Sequence, residues 1–318
     1  MFHQLHRPLA VVSGAMVALA VVCAFGLWLD DRVLVGAPIW LKPLKFAVSI
    51  VIYALTLAWM ISLLDARRRR TGWWLGTVIA AGLIVEMIAI VGQLLRGRQS
   101  HFNVATAFDT AVWAVMAASI MIVFVATLGL GLVLLRQRLT DRPAALAIQL
   151  GIGIALAGMA IGFLMTFPTP SQVGALADGA APTLIGAHGV GVEDGGPGLP
   201  VVGWSTAGGD LRVGHFIGLH ALQALPLLAF ALTPLSRRRP LLADPAVRTR
   251  LIATAGVGYA WLTGVVTWQA LRGQPVTAPD ALTLAVAALG LLTTLTAATW
   301  AVRSHACDAA LPVAGGVR

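Results

Sequence analysis

The chain has 318 residues, of which 58% are hydrophobic and only 11% are charged. Because soluble domains carry about 25% charged residues, this composition excludes a disordered chain, a soluble enzyme and a nucleic-acid-binding module. The formal net charge of +9 does not indicate nucleic-acid binding, since the basic residues are scattered in loops between long apolar runs. The composition is that of a polytopic membrane protein, with the lipid bilayer as its first partner.

Taken in chain order, eight apolar runs are long enough to cross a bilayer, which requires about 20 residues in a helix. They occupy residues 9–29, 40–64, 73–95, 108–135, 144–167, 213–235, 250–271 and 281–302. Lipid offers no hydrogen-bond partner to the backbone, so each run must be helical. The sequence therefore predicts an all-α bundle of about eight transmembrane helices, forming a single membrane domain over residues 1–318.

The distribution of basic residues predicts the orientation of the bundle. If the N-terminus is cytoplasmic, 15 of the 22 lysines and arginines lie on the cytoplasmic side and 7 on the outer side. Cytoplasmic loops of membrane proteins carry this excess of positive charge, so we expect both termini in the cytoplasm. The first apolar run is too long for a cleaved signal peptide and is followed by Asp30 and Asp31. We therefore expect it to remain as the first helix.

Four of the seven histidines fall on the predicted outer side or in the outer half of a helix: His101, His188, His215 and His220. Imidazoles gathered with carboxylates on one side of a membrane could ligate a transition metal or a haem iron. No tight ligand spacing supports this, and His215 and His220 lie about 140° apart around a helix, so they cannot form a simple chelating pair. We nevertheless predict these four as metal ligands, with a transition metal or haem as the cofactor they suggest.

Charged and amide side chains near these histidines complete the predicted site. A charge inside a span is costly unless it is paired, and it therefore suggests a functional role. We expect a catalytic or proton-handling role for Glu86, Asp109, Asp210 and Gln223. The neighbouring cations, which would hold an anionic or lipid-type molecule or haem propionates, are Lys42, Lys45, Arg96 and Arg212. The two lysines could instead simply reach toward the membrane interface.

The longest connection between spans, residues 168–212, is called the outer loop here. Its first 43 residues include eleven glycines, five prolines and four acidic side chains, and no lysine or arginine. Loops of this length are usually either functional or disordered. Because its acidic charge complements the neighbouring cations, we expect it to fold down as a lid on the outer face; the alternative is a flexible linker. The site would then lie between the second, third, fourth and sixth spans.

Several functional interpretations stay open, and the sequence does not decide whether the protein is an enzyme. The first is metal or haem binding for redox or related chemistry. The second is a metal-dependent hydrolase of a lipid-type substrate, with Asp109, Asp210 or Glu86 as the base that activates water. The third is a proton-coupled transporter built around Glu86 and Gln93, although no internal repeat pairs the two halves of the chain. A purely structural membrane subunit is also compatible.

Three motifs stand out: W-x-K-P-x-K-F at 40–46, R-G-x-x-S-H-F-N at 96–103, and G-G-D-L-R-x-x-H-F-x-x-L-H-x-L-Q at 208–223. They resemble a family of uncharacterised bacterial multi-pass inner-membrane proteins, and residues 186–200 fit the same pattern. The resemblance covers roughly residues 36–235. It implies a location in the bacterial inner (plasma) membrane, and it carries over no activity, cofactor or site residue.

Overall fold

The structure is a computed structural model that describes residues 5–310, with side chains as far as residue 303. Nine α-helices lie within the described residues: α1 Arg7–Leu29, α2 Leu41–Ser62, α3 Ala66–Leu95, α4 Ala107–Leu135, α5 Arg142–Leu164, α6 Pro170–Ala177, α7 Leu211–Ser236, α8 Pro245–Leu271 and α9 Ala281–Ala310. Eight of them, all except α6, are long and apolar enough to cross a membrane. The predicted all-α polytopic fold and its number of spans are confirmed for this part of the chain.

Two helices begin several residues before the apolar runs of their spans, because each starts at a polar N-cap residue. Helix α3 begins at Ala66 rather than at residue 73, since the Asp65 carboxylate accepts a hydrogen bond from the Arg68 amide at 2.9 Å. Helix α8 begins at Pro245, after Asp244. Such N-caps satisfy amides that the first helical turn leaves without a partner. The arginines at 67–70, expected in a loop, therefore lie on the first turns of α3.

Five helices surround a central space. Helix α2 packs against α3, α3 against α4, α4 against α5 and α5 against α7, and α7 returns to α2 to close the ring. Helix α1 packs on the outside of α2 and α3. Helix α8 packs against α5 and α7, and α9 packs against α8. The largest cluster of buried apolar side chains draws on α1 to α5 and on α7, and it includes Leu57, Ile79 and Leu222. The ring is what places residues from five different helices around one space.

Helices α5 and α7 approach each other through glycines. A Cβ atom added to Gly158 would lie 2.5 Å from the backbone nitrogen of Leu219, and one added to Gly218 would lie 2.7 Å from the Gly158 Cα. No larger residue fits at either position without moving a helix. Small residues of this kind allow close backbone approach between membrane helices, and here they set the position of α7 in the ring.

The segments 30–40, 96–106, 165–210 and 272–280 meet at one end of the bundle, called the loop end below. Strands β1 (Val33–Leu34) and β2 (Ala37–Pro38) pair between α1 and α2. The outer loop is folded: it begins with α6 and pairs β3 (Gly189–Val190) with β4 (Gly209–Asp210). Its backbone also joins the segment 96–106, since the Ile185 amide donates to the Phe102 carbonyl at 2.9 Å. The outer loop therefore lies on the end of the ring.

Candidate functional site

A cavity of about 390 Å³ lies inside the five-helix ring. Side chains of α2, α3, α4, α5 and α7 line it together with residues of segment 96–106 and the outer loop, so α5 also contributes, which the sequence did not indicate. Most of the wall is apolar or aromatic. The ionisable side chains in the wall are Tyr53, Glu86, His101, His188, Arg212 and His215. Three of the four predicted histidines thus share one space, whose volume is typical of small-molecule sites.

The cavity opens sideways between α4 and α5. Ala117 and Met121 on α4 and Thr166 just after α5 line it and have exposed side chains. Met121 lies at the middle of α4, so the opening is at membrane depth. An apolar molecule could therefore enter from the bilayer without crossing the loop end.

Three side chains, Lys42, His101 and Glu86, follow one another at short range, and the last two line the cavity. The Lys42 Nζ lies 3.0 Å from His101 Nδ1, and His101 Nε2 lies 3.3 Å from Glu86 Oε1. An ammonium group can only donate, so Nδ1 accepts and the ring carries its proton on Nε2, the nitrogen that faces Glu86. Burial and the neighbouring Lys42 ammonium hold the pKa of His101 well below its ordinary value, so this imidazole is neutral.

Glu86 has one oxygen without a partner. The residue is 2% exposed, and its Oε2 is buried with no hydrogen bond to any described residue. Leaving a buried polar atom unsatisfied costs about 1–3 kcal/mol, and more for a charged group. Because Glu86 lines the cavity, a donor on a bound molecule would satisfy this oxygen. Unsatisfied buried groups in native proteins call for such an explanation.

His188 is oriented by a carboxylate of the outer loop. Its Nδ1 lies 2.7 Å from Asp194 Oδ2, and Asp194 also accepts from the backbone amides of His188 and Gly189 at 3.1 and 3.0 Å. Burial alone would raise the pKa of Asp194, but the hydrogen bonds from the His188 ring and from the two backbone amides hold it well below its ordinary value. The ionised carboxylate therefore keeps the ring proton on Nδ1, and Nε2 has no hydrogen-bond partner among the described residues.

His215 is oriented by the backbone of α5. Its Nδ1 lies 2.8 Å from the Gly158 carbonyl oxygen, which can only accept, so the proton is again on Nδ1 and Nε2 keeps its lone pair. Gly162, one turn further along α5, makes room for this ring, because a Cβ there would lie 3.1 Å from His215 Cε1. The two glycines of α5 thus hold the imidazole at the cavity wall.

Aromatic rings surround these polar groups. The His101 ring has its centroid 5.7 Å from Phe46, 6.0 Å from Phe102 and 5.5 Å from Trp113. Phe102 also lies edge-on to His188 at 4.9 Å. Rings at these separations make favourable edge contacts. The polar end of the cavity is therefore an aromatic box with imidazoles and a carboxylate in its walls.

The backbone at Phe102 is strained so that its ring reaches the box. Its φ of 65° is in the left-handed region, which is rare for a bulky residue. Such conformations persist where the surroundings over-determine them, often at functional sites. Here Gly186 must be a glycine, because a Cβ would lie 2.7 Å from Phe102 Cδ1 and its own φ is 104°. The outer loop thus fixes the position of the Phe102 ring.

Asp109 and Arg96 lie at the loop ends of α4 and α3, outside the cavity wall. Asp109 is 1% exposed and accepts from Arg96 Nη1 at 2.7 Å, Gln93 Nε2 at 2.9 Å and Thr106 Oγ1 at 2.7 Å. Arg96 also stacks over the Phe108 ring. The ion pair joins α3 to α4 and stabilises the helix ends.

The outer loop is held against the five-helix ring by contacts of Asp210, Arg212 and Lys45. Asp210 caps α7, and Arg212 Nη2 binds it at 2.6 Å while donating to the Gly203 carbonyl at 2.6 Å. Lys45 Nζ donates to the Val202 carbonyl at 2.9 Å. Of these three residues only Arg212 lines the cavity.

His220 and Gln223 lie further along α7 and do not line the cavity. His220 Nδ1 lies 3.3 Å from Gln223 Oε1, and Gln223 Nε2 donates to Thr56 Oγ1 of α2 at 3.2 Å. These contacts join α7 to α2. His220, predicted to share a centre with the other three histidines, is therefore separate from them.

No group of three or more histidine, cysteine, aspartate or glutamate side chains within the described residues could hold a metal ion. His101 faces Lys42 through Nδ1 and Glu86 through Nε2, whereas His188 and His215 each keep an Nε2 without a hydrogen-bond partner among the described residues. The sequence also did not single out Asp194, Phe102 or Trp113. Their roles depend on contacts between distant segments, and no fixed spacing marks such contacts.

No protein-family model, no curated protein and no solved structure matches the chain. The resemblance of the three motifs stays a prediction, and functional conclusions depend on the residues of the cavity.

Proposed function

We propose that the protein binds a lipid-type molecule that enters the cavity from the membrane and places its headgroup at Glu86. One observation carries the proposal: Glu86 lines a cavity that opens at membrane depth, and its buried Oε2 has no partner among the described residues. The apolar wall suits a hydrocarbon chain or ring, and the carboxyl oxygen suits a donor in the headgroup, since a buried polar group requires a hydrogen bond.

The chain Lys42–His101–Glu86 would handle a proton of that headgroup. A neutral imidazole can accept a proton on one nitrogen while releasing one from the other. Here Nδ1 faces an ammonium and Nε2 faces a carboxyl oxygen. Binding of the headgroup at Glu86 would be the first step both of chemistry on the headgroup and of proton-coupled transport.

We place the protein in the bacterial inner membrane, with both termini in the cytoplasm and the loop end outside. The excess of basic residues in the segments that the sequence predicts as cytoplasmic, 15 of 22, supports this orientation. The headgroup site would then lie in the outer half of the membrane.

A bound transition metal or haem is the second candidate, because His188 and His215 each donate Nδ1–H and leave Nε2 free, which is typical of metal-ligating histidines. The described residues supply no third ligand beside them. Stoichiometric zinc or a Soret band in purified protein would favour this candidate and, for zinc, metal-dependent hydrolysis. A colourless, metal-free protein would favour the lipid-type ligand.

The proposal is tested by photolabelling in lipid nanodiscs with a diazirine-bearing fatty alcohol, followed by peptide mapping. We expect saturable labelling of the cavity-lining parts of α4 and α5, which excess unlabelled fatty alcohol suppresses. Labelling of exposed residues on α9, such as Leu291 (60% exposed), should be unsaturable, because they face bulk lipid.

A matched pair of variants locates the entrance. Ala117→Phe narrows the opening, whereas Ala118→Phe adds the same ring at an exposed neighbour that does not line the cavity. Saturable labelling should disappear in Ala117→Phe and persist in Ala118→Phe. Cavity labelling that does not saturate, or that is equal in the two variants, would contradict the proposal.

A further inference from the structure

A groove of about 950 Å³ lies on the outside of the bundle, at the end opposite the loop end. Its walls are the start of α1, the end of α2 and the part of α3 from Arg69 to Ile84. None of the described residues that line the groove also lines the cavity inside the ring. The groove is therefore a second concave site, separate from the candidate functional site.

The length of the groove matches one leaflet of a bilayer. From Arg69 to Ile84 the helix α3 makes about four turns, which corresponds to about 22 Å along its axis. A bilayer with its headgroups is about 40–45 Å thick, so half of it is about as long as the groove. A phospholipid could therefore lie along α3 with its headgroup near Arg69 and its acyl chains directed toward Ile84.

The mouth of the groove is basic. Arg7 and Arg69 line it, and both residues are exposed. Neither guanidinium forms an ion pair with a described residue, and Asp65, at the start of α3, pairs with Arg68 instead. No aspartate or glutamate within the described part of the chain lines the groove. Because guanidinium groups bind phosphate by paired, charge-assisted hydrogen bonds, the mouth complements an anionic headgroup.

Beyond the two arginines the wall of the groove is mainly apolar. Val11 on α1 and Ala81 and Ile84 on α3 line this part and are exposed, so they leave apolar surface for an acyl chain to cover. Trp73, 41% exposed, lies one helical turn beyond Arg69. Aromatic rings of this kind are enriched at the boundary between headgroups and hydrocarbon. The change from basic to apolar wall thus follows the structure of a phospholipid.

His6 holds the start of α1 against α3 at the groove. Its Nε2 lies 2.9 Å from the Trp73 carbonyl oxygen, which can only accept, so Nε2 donates. Its Nδ1 accepts from the Leu9 amide at 3.3 Å and so caps α1. Gly76 makes room for the ring, because a Cβ there would lie 3.0 Å from His6 Cε1. These contacts fix the two helices that form the walls, so the groove is preformed.

We infer that this groove binds an anionic membrane phospholipid, with its phosphate at Arg7 and Arg69 and an acyl chain along α3. The inference does not depend on the proposed function, since the two sites share no lining residue. Basic pockets between membrane helices recognise anionic headgroups in this way. A zwitterionic phospholipid brings the same phosphate and chains, but its cationic group meets two arginines and no carboxylate in the wall.

The inference is tested by photolabelling of the full chain in phosphatidylcholine nanodiscs. The probe is phosphatidylglycerol with a diazirine on one acyl chain, and the labelled peptides are mapped. We expect saturable labelling of α3 between Ala80 and Ile84, which unlabelled dioleoyl-phosphatidylglycerol suppresses. The same probe with a phosphocholine headgroup should label this part of α3 at least about fivefold less. Equal labelling by the two probes would overturn the inference.

A matched pair of variants tests the basic mouth. Arg69→Gln and Arg70→Gln remove the same charge from neighbouring exposed positions of α3, but only Arg69 lines the groove. Arg69→Gln should raise the half-saturating mole fraction of the phosphatidylglycerol probe about tenfold, because a charge-assisted hydrogen bond is lost. Arg70→Gln should behave like the wild type. Equal effects of the two substitutions would show a general attraction to surface charge and would overturn the assigned site.

A second pair of variants tests the apolar part. Ala81→Phe fills the groove, whereas Val78→Phe places the same ring at an exposed position of α3 that does not line it. Only Ala81→Phe should reduce saturable labelling. Excess inorganic phosphate, at an ionic strength held constant with chloride, should not displace the probe, because it lacks the acyl chain. Displacement by phosphate, or full labelling of Ala81→Phe, would contradict a phospholipid site.

Discussion

At the residue scale, two buried carboxylates of the bundle differ in their partners. Asp109 is 1% exposed and accepts hydrogen bonds from Arg96, Gln93 and Thr106. Glu86 is 2% exposed and lines the cavity, but its Oε2 has no hydrogen-bond partner among the described residues. Sequence reasoning identified both from their positions in apolar spans, but it could not separate them. Their partners come from helix ends and loops whose relative placement is a property of the tertiary fold.

Asp109→Ala should destabilise the protein without a specific loss of ligand binding. The change removes a buried carboxylate that is the hydrogen-bond acceptor of Gln93 and Thr106, and leaving such buried groups unpaired costs about 1–3 kcal/mol. The same substitution at exposed Asp31 is the control and should cost little. Denaturant unfolding in detergent micelles measures both, and an equal effect of the two substitutions would contradict the structural role of Asp109.

Asp194→Asn should loosen the outer loop, with a loss of about 2 kcal/mol from the weakened hydrogen bonds to a charged acceptor. The folded-state pKa of Asp194 is depressed, so its stabilisation is fully present above its unfolded pKa of about 4. It is lost as the pH falls further, through the folded pKa.

The difference in thermal stability between wild type and Asp194→Asn should therefore be largest at neutral pH and shrink below about pH 4. Glu193→Asn, at the exposed neighbouring position, should show no comparable difference. A gap that grows as the pH falls would show that Asp194 does not act as an ionised acceptor.

At the scale of elements, hydropathy predicted the eight spans because burial in lipid demands long apolar helices. It misplaced the start of α3, because the cap at Asp65 depends on a single polar side chain. The structure within the outer loop was not predicted, since β3 pairs with a strand about 20 residues away and its anchors lie on other helices. Only the T-P-S-Q signal at 169–172 marks α6 locally, as a capping box.

Gly158→Ala should move α7 relative to α5 and displace His215. The added Cβ would lie 2.5 Å from the Leu219 nitrogen, and overpacking of this kind costs about 1–3 kcal/mol. Gly153→Ala on the same helix is the control, because a Cβ there meets nothing within 4 Å. We expect lower thermal stability and weaker ligand binding for Gly158→Ala but not for Gly153→Ala. A Gly158→Ala variant with the stability and ligand affinity of the wild type would contradict the close approach of α5 and α7.

At the scale of the whole molecule, the ring of five helices determines which residues line the site. The sequence predicted a polar site near the loop end, and His101, His188 and His215 do line one cavity. It could not predict that α5 completes the wall or that His220 lies outside it, because helix order around a ring is not encoded in the spacing of residues along one chain.

The orientation of the ring is tested by cysteine labelling in intact cells. In a chain with Cys307→Ser, the remaining Cys23 is buried, so a cysteine introduced by Glu193→Cys at the loop end or Thr140→Cys at the opposite end reports its side of the membrane. A membrane-impermeant maleimide should label Glu193→Cys directly and Thr140→Cys only after permeabilisation. The reverse pattern would invert the proposed topology.

The most direct test of the central claim is the saturation of cavity labelling by the diazirine-bearing fatty alcohol in wild type, Glu86→Gln and Glu193→Gln. In Glu86→Gln the amide oxygen can still face His101 Nε2, as Glu86 Oε1 does at 3.3 Å, but an NH₂ group replaces the free acceptor. The account predicts that the half-saturating concentration rises about tenfold or more for Glu86→Gln, because a charge-assisted hydrogen bond is lost, and stays unchanged for Glu193→Gln. Identical saturation curves for wild type and Glu86→Gln would contradict it.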